Sequence, residues 1–191
     1  TVQTISEAHL LPVIEQMLAQ FPFEILGFHA DNDSEYVNHR VAQMLDKLRI
    51  EFTRSRPRRS NDNGLAETKN GAVVRKIFGY AHIPQRHAAR FNTFCAEYLN
   101  PFLNLHRPCL FATELPDAKK PGRIKRVYRP QDAMTPLDKL ASLPDAAAFL
   151  REGVTLEELH QLARALTDVQ AAQELNEARA ALFRRVPART G

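Results

Sequence analysis

Two acidic residues stand where carboxylates can do metal chemistry. Asp31, in HADNDSEY, follows a short apolar run, and Glu67, in NDNGLAETKN, lies near the start of a later helical stretch, with 35 residues between them. A carboxylate at a strand end and another on a facing helix can share Mg²⁺ or Mn²⁺, because hard cations choose carboxylate oxygen and water. Two such ions activate an attacking water or hydroxyl and stabilise the leaving oxygen of a phosphodiester. Spacing alone does not separate this from solvated surface charge, the usual setting of Asp and Glu. Cations run beside and beyond the acids. RSRPRRSNDNG (54–64) carries Arg54, Arg56, Arg58 and Arg59, and KKPGRIKRVYR (119–129) sets Lys119, Lys120, Arg123, Lys125, Arg126 and Arg129 around Tyr128. Clustered cations with one ring suit a phosphate backbone and a stacked base.

The elements that must position these residues follow from periodicity. Leu10, Leu11, Ile14, Met17 and Leu18 recur at helical spacing, predicting an amphipathic helix over Ser6–Gln20 that starts at Pro12 or kinks around it. FEILGF (23–28) predicts a buried strand with Asp31 just past its end. A helix from Ser34 to Leu48 follows, with Tyr36, Val37, Val41, Met44, Leu45 and Leu48 as its apolar stripe, and then a second strand over Ile50–Thr53. Strand, helix, strand is an α/β unit. Residues 54–64 have almost nothing to bury and are expected as a basic loop. Helix is expected again from Leu65 to Phe78 and from Gln85 to Leu105. From Arg107 to Pro144, six prolines predict an extended, poorly regular segment. Thr155 and Glu158 form a capping box for a helix towards Arg185. The expected divisions are 1–107, 108–144 and 145–191.

At 191 residues, 44% hydrophobic and 25% charged, the chain is long enough for one globular domain with an appendage. A formal charge of +4 and a pI near 9.3 suit a polyanionic partner. Cys95 and Cys109 have no paired spacing and no zinc-site geometry, so they are expected as reduced structural thiols. No apolar run approaches the ~20 residues needed to cross a bilayer, and no signal segment opens the chain. A cytoplasmic protein without a membrane partner is expected.

HADNDSEYVN resembles the second-aspartate motif of the DDE-type transposase and retroviral-integrase core, and NDNGLAETKN resembles the third-acid motif of insertion-sequence transposases in that group. The resemblance covers roughly Ser6 to Arg107, and YLNPFLNLHRP looks like the end of that core. It implies a ribonuclease-H-like fold with Asp31 and Glu67 as second and third members of a metal-binding triad using Mg²⁺ or Mn²⁺. It further implies DNA partners, both transposon ends and target, met by Arg54, Arg56, Arg58, Arg59, Asn63, Lys69 and the basic 119–126 stretch, with a homo-oligomer in a full-length parent.

In the family the first aspartate lies well upstream, on the first strand. Only 30 residues precede Asp31, and Glu7 and Glu15 fall in the helix, so neither is assigned as the missing ligand. The expectation is a partial core, lacking its first strands and inactive alone, plus a C-terminal extended segment and helix. Asp33 stands where the family has glycine, a substitution that short polar side chains tolerate if φ is positive. His29 is open between a phosphate contact and a packing residue, and Arg75 and Lys76 are expected on solvated surface. The rival readings are a non-catalytic DNA-binding or interaction module and a decayed gene product.

Overall fold

The structure, a computed structural model, describes residues 7–30, 39–55, 70–118, 120 and 122–186. Contact density divides the chain into two units: Thr1–Phe94 with Arg179–Gly191, and Cys95–Ala178. The fold is mixed α/β, with two small two-stranded sheets among the described residues, one parallel and one antiparallel.

The first unit is built on a strand–helix–strand crossover. Strand β1 (Gly27–Ala30) pairs in parallel with β2 (Glu51–Arg54), and helix α2 (His39–Lys47) joins them after α1 (Glu7–Ala19). Leu10 and Ile14 of α1, Val41 and Leu45 of α2, and Ile50 form one buried cluster, with Phe28 and Phe52 packed against it. Helix α1 runs through Pro12 instead of starting there. Pro12 is exposed, so the carbonyl that loses its partner faces water.

The first strand begins later than FEILGF predicts. Pairing starts at Gly27 opposite Glu51, and the Glu51 amide donates to the Leu26 carbonyl at 2.9 Å. Phe23 instead meets Phe21 at 5.2 Å between ring centroids. Helix α2 ends in a left-handed residue, Arg49 (φ 56), with the Ile50 amide donating back to the Leu45 carbonyl at 2.9 Å. That motif closes the helix and turns the chain into β2, leaving Leu48 outside the stripe assigned to it.

Further along this unit, a helical segment over Asn70–Arg75 and Lys76–Phe78 precedes α3 (Ala88–Phe94). Phe78 packs on Phe91 and Phe94, and Phe91 meets Phe183 edge-on at 5.9 Å.

In the second unit the chain from 109 to 144 is more regular than its prolines predict. Strands β3 (Cys109–Pro116) and β4 (Ile124–Met134) form an antiparallel hairpin, and α4 (Pro136–Ala141) follows. Three of its prolines sit where a missing N–H costs little. Pro116 ends β3, Pro130 lies in a β-bulge, and Pro136 opens α4. In that bulge Asp132 accepts a 2.8 Å bond from the Thr113 hydroxyl.

Thr155 and Glu158 do form the capping box, but its helix, α5 (Leu156–Arg164), stops well short of Arg185. Thr167 and Gln170 then build a second reciprocal cap for α6 (Asp168–Arg184). Leu137, Leu150 and Leu159 make the buried core of this unit. Here also the buried His106 ring holds Asp168 at 3.1 Å through Nδ1.

Candidate active-site edge and basic hairpin

The parallel pairing of β1 and β2 brings two chain ends to one edge. Ala30 is in register with Arg54, and the Ser55 amide donates to the Ala30 carbonyl at 3.0 Å. Asp31 is the next residue in sequence after Ala30, and the basic stretch continues from Ser55. Carboxyl ends of parallel strands are where α/β units commonly bind ligands.

His29 sits on this edge as a bridge between the strands. Its Nδ1 lies 2.9 Å from the Thr53 hydroxyl and its Nε2 3.2 Å from the hydroxyl of buried Ser55. A neutral imidazole satisfies both contacts, one nitrogen donating its proton and the other accepting one from a hydroxyl. In the structure His29 thus ties β1 to the end of β2. Thr53 and Ser55 carried no signal in the sequence, because only the parallel register sets them opposite His29.

Arg54 is exposed on the same edge. Asp31, Arg56, Arg58, Arg59, Asn63, Glu67 and Lys69 lie outside the described residues. Among the described residues, no group of three or more His, Cys, Asp or Glu could hold a metal ion.

The second basic element is the β3–β4 hairpin, with Lys119 outside the described residues. Lys120, Arg123, Lys125 and Arg126 are all exposed. The strand pleat sorts them, however, so the cations do not surround Tyr128. Ile124, Arg126 and Tyr128 share one face of β4, opposite Pro116, Glu114 and Ala112, while Lys125 belongs to the other face, opposite Leu115. Lys120 and Arg123 belong to the turn, where Gly122 takes φ 83. Arg126 donates through Nε to Glu114 at 3.1 Å, and both side chains are well exposed. An exposed pair of this kind adds little stability but offsets part of the hairpin's positive charge. Tyr128 is 60% exposed on the same face.

Among known proteins, the chain is 30% identical over 129 residues to an uncharacterized protein, y4rM, of Sinorhizobium fredii (strain NBRC 101917 / NGR234). The match covers 68% of this chain and 36% of that protein, so the chain spans little more than a third of that relative's length. No protein-family model matches the chain, and no solved structure does. Among the described residues, no helix is long and apolar enough to cross a membrane.

Proposed function

We propose that the chain is part of a DDE-type transposase or integrase catalytic core with a partial ribonuclease-H-like fold. Asp31 and Glu67 would serve as two carboxylates of its metal site. The observation that carries this reading is the β1–α2–β2 crossover. Its strand ends lie one hydrogen bond apart, Asp31 follows one of them, and the arginine-rich stretch follows the other. The donor chemistry fits a hard divalent cation, since both residues offer carboxylate oxygen. Mg²⁺ or Mn²⁺ bound there would supply an activated water or hydroxyl for phosphodiester cleavage and strand transfer. Arg54, Arg56, Arg58, Arg59, Asn63 and Lys69 would hold DNA beside the acids, and Lys119, Lys120, Arg123, Lys125 and Arg126 would track it along the hairpin. The complete enzyme would act on transposon ends and target DNA as a homo-oligomer.

The test is Mn²⁺ binding by the chain, read from loss of the free-ion signal in electron paramagnetic resonance. Asp31→Asn and Glu67→Gln should each weaken it at least tenfold. Equal Mn²⁺ affinity in wild type and both variants refutes the acid pair.

A second reading, a DNA-binding module without catalysis, is favoured by the exposed hairpin cations beside the exposed Tyr128. It predicts duplex binding that weakens steeply with salt and needs no divalent ion.

A further inference from the structure

A third basic stretch, separate in sequence from the arginine-rich stretch and the hairpin, lies in the first unit. From Asn70 to Ala96 the sequence holds Arg75, Lys76, Arg86 and Arg90 and not one Asp or Glu. All four cations are exposed, and among the described residues none pairs with a carboxylate.

The turn inside this stretch presents an aromatic ring. Gly79 takes φ 75, a conformation that favours glycine, and its amide donates to the Arg75 carbonyl at 2.9 Å. The next residue, Tyr80, is 83% exposed, and the Arg75 guanidinium carbon lies 5.2 Å from the centre of its ring. The base of the turn is fixed. Phe78 packs on Phe91 and Phe94, and Arg179 donates its Nε–H to the Ile77 carbonyl.

The positive field reaches an ionisable neighbour. His87 is buried and its Nε2 has no partner among the described residues; burial holds its pKa below the ordinary value, with Arg86 and Arg90 pushing it the same way. Both guanidinium groups therefore stand near His87, and among the described residues neither pairs with a carboxylate.

We propose that the 75–90 turn binds an unpaired DNA strand, with Tyr80 stacking on a base and Arg75, Lys76, Arg86 and Arg90 holding its phosphates. Four exposed cations with no carboxylate partner among the described residues suit a polyanion, and the ring narrows the class. An acidic peptide would use the charges but gain nothing from a guanidinium-backed tyrosine, whereas every base has a π-face. Duplex bases already stack on one another, so an exposed ring favours a strand whose bases are open. This surface goes beyond the function proposed above and requires neither Asp31 nor Glu67.

The experiment is fluorescence anisotropy of the full chain with a labelled oligothymidylate and with a duplex of equal length, across a salt series. Tyr80→Ala should weaken oligothymidylate binding roughly tenfold, as loss of one stacked base does, with Tyr80→Trp retaining it. Arg86→Glu/Arg90→Glu should lower the slope of log affinity against log salt by about 1.4, two single-strand phosphates. Circular dichroism confirms that each variant is folded. A hairpin variant, Lys120→Glu/Arg123→Glu/Lys125→Glu, should leave the effect of Tyr80→Ala intact, which separates this surface from the hairpin. Unchanged oligothymidylate affinity in Tyr80→Ala, equal losses for duplex and single strand, or an unaltered salt slope in the arginine variant would each overturn the proposal. Tyr80-dependent preference for oligouridylate over oligothymidylate would overturn its assignment to DNA.

Discussion

Leu45 and Leu48 lie one helical step apart, and their apolar character puts both on the stripe of α2. The structure separates them, with Leu45 at 0% exposure inside the crossover core and Leu48 at 52%, beyond the helix end. Leu45→Ala removes a fully enclosed side chain from a cluster bounded by both helices and both strands. Rigid surroundings place its cost at about 3 to 4 kcal/mol, within the span for buried leucine truncation. Leu48→Ala should cost about 0.5 kcal/mol or less, as an exposed position does.

Because the chain forms two units, global denaturation mixes their transitions, so hydrogen exchange at the paired amides is the cleaner assay. The Ser55 and Glu51 amides donate across the parallel pair, and protection there reports opening of the crossover. In Leu45→Ala that protection should fall by the full 3 to 4 kcal/mol, a rise in exchange rate of roughly 140- to 700-fold at ~1.4 kcal/mol per decade. Leu48→Ala should leave it within about threefold. Equal loss in both variants would refute the placement of the α2 end, and little loss in either would refute the crossover core.

Arg49 holds a left-handed conformation (φ 56), so Arg49→Gly should stabilise the first unit by about 0.5 kcal/mol, the relieved strain exceeding the added chain entropy, as read from the same amides. Glu158 has its pKa held below the ordinary 4.5, first by the Thr155 hydroxyl and then by the Thr155 amide. Its depressed folded value means that the associated stability is full above 4.5 and is lost as pH falls through the lower folded value. Acid titration of Glu158→Gln, which keeps the cap, should show a flatter loss there. Lys120→Glu/Arg123→Glu/Lys125→Glu should lower the salt slope of duplex binding by roughly 2 to 3, measured by anisotropy, and an unchanged slope would remove the hairpin from the DNA surface.

The crossover was legible because one physical signal dominated each part. Val41, Met44 and Leu45 repeat at helical spacing, and the short apolar runs on either side are too brief for helices. Strand limits were less legible, since FEILGF shows which residues are apolar but not which pair with β2, and that pairing begins only where Gly27 meets Glu51. The hairpin was hidden because the six prolines of 108–144 argue against strands by their number, whereas their positions decide what each costs. Thr135, Pro136 and Asp138 spelled a helix start in sequence, with a capping threonine and proline at the first turn, as did Thr167 and Gln170. Of the candidate site, Arg54 and the hairpin cations could be placed by their types alone. The His29 bridge could not, because its partners lie 24 and 26 residues away and are ordinary hydroxyls.

That bridge bears on how the acids would work together. The crossover fixes where Asp31 departs, and the His29 contacts to Thr53 and Ser55 tie that point to the residue from which the basic stretch leaves. Glu67 follows Ser55 by 12 residues, a span of up to about 40 Å when extended, so chain connectivity permits an encounter with Asp31 without imposing it. Under the proposed function the two carboxylates would repel, and a shared cation would have to supply the attraction. Metal affinity at the proposed site would then be a joint property of the two residues. Removing either acid should therefore cost nearly as much Mn²⁺ affinity as removing both, a non-additivity that independent surface carboxylates would not show.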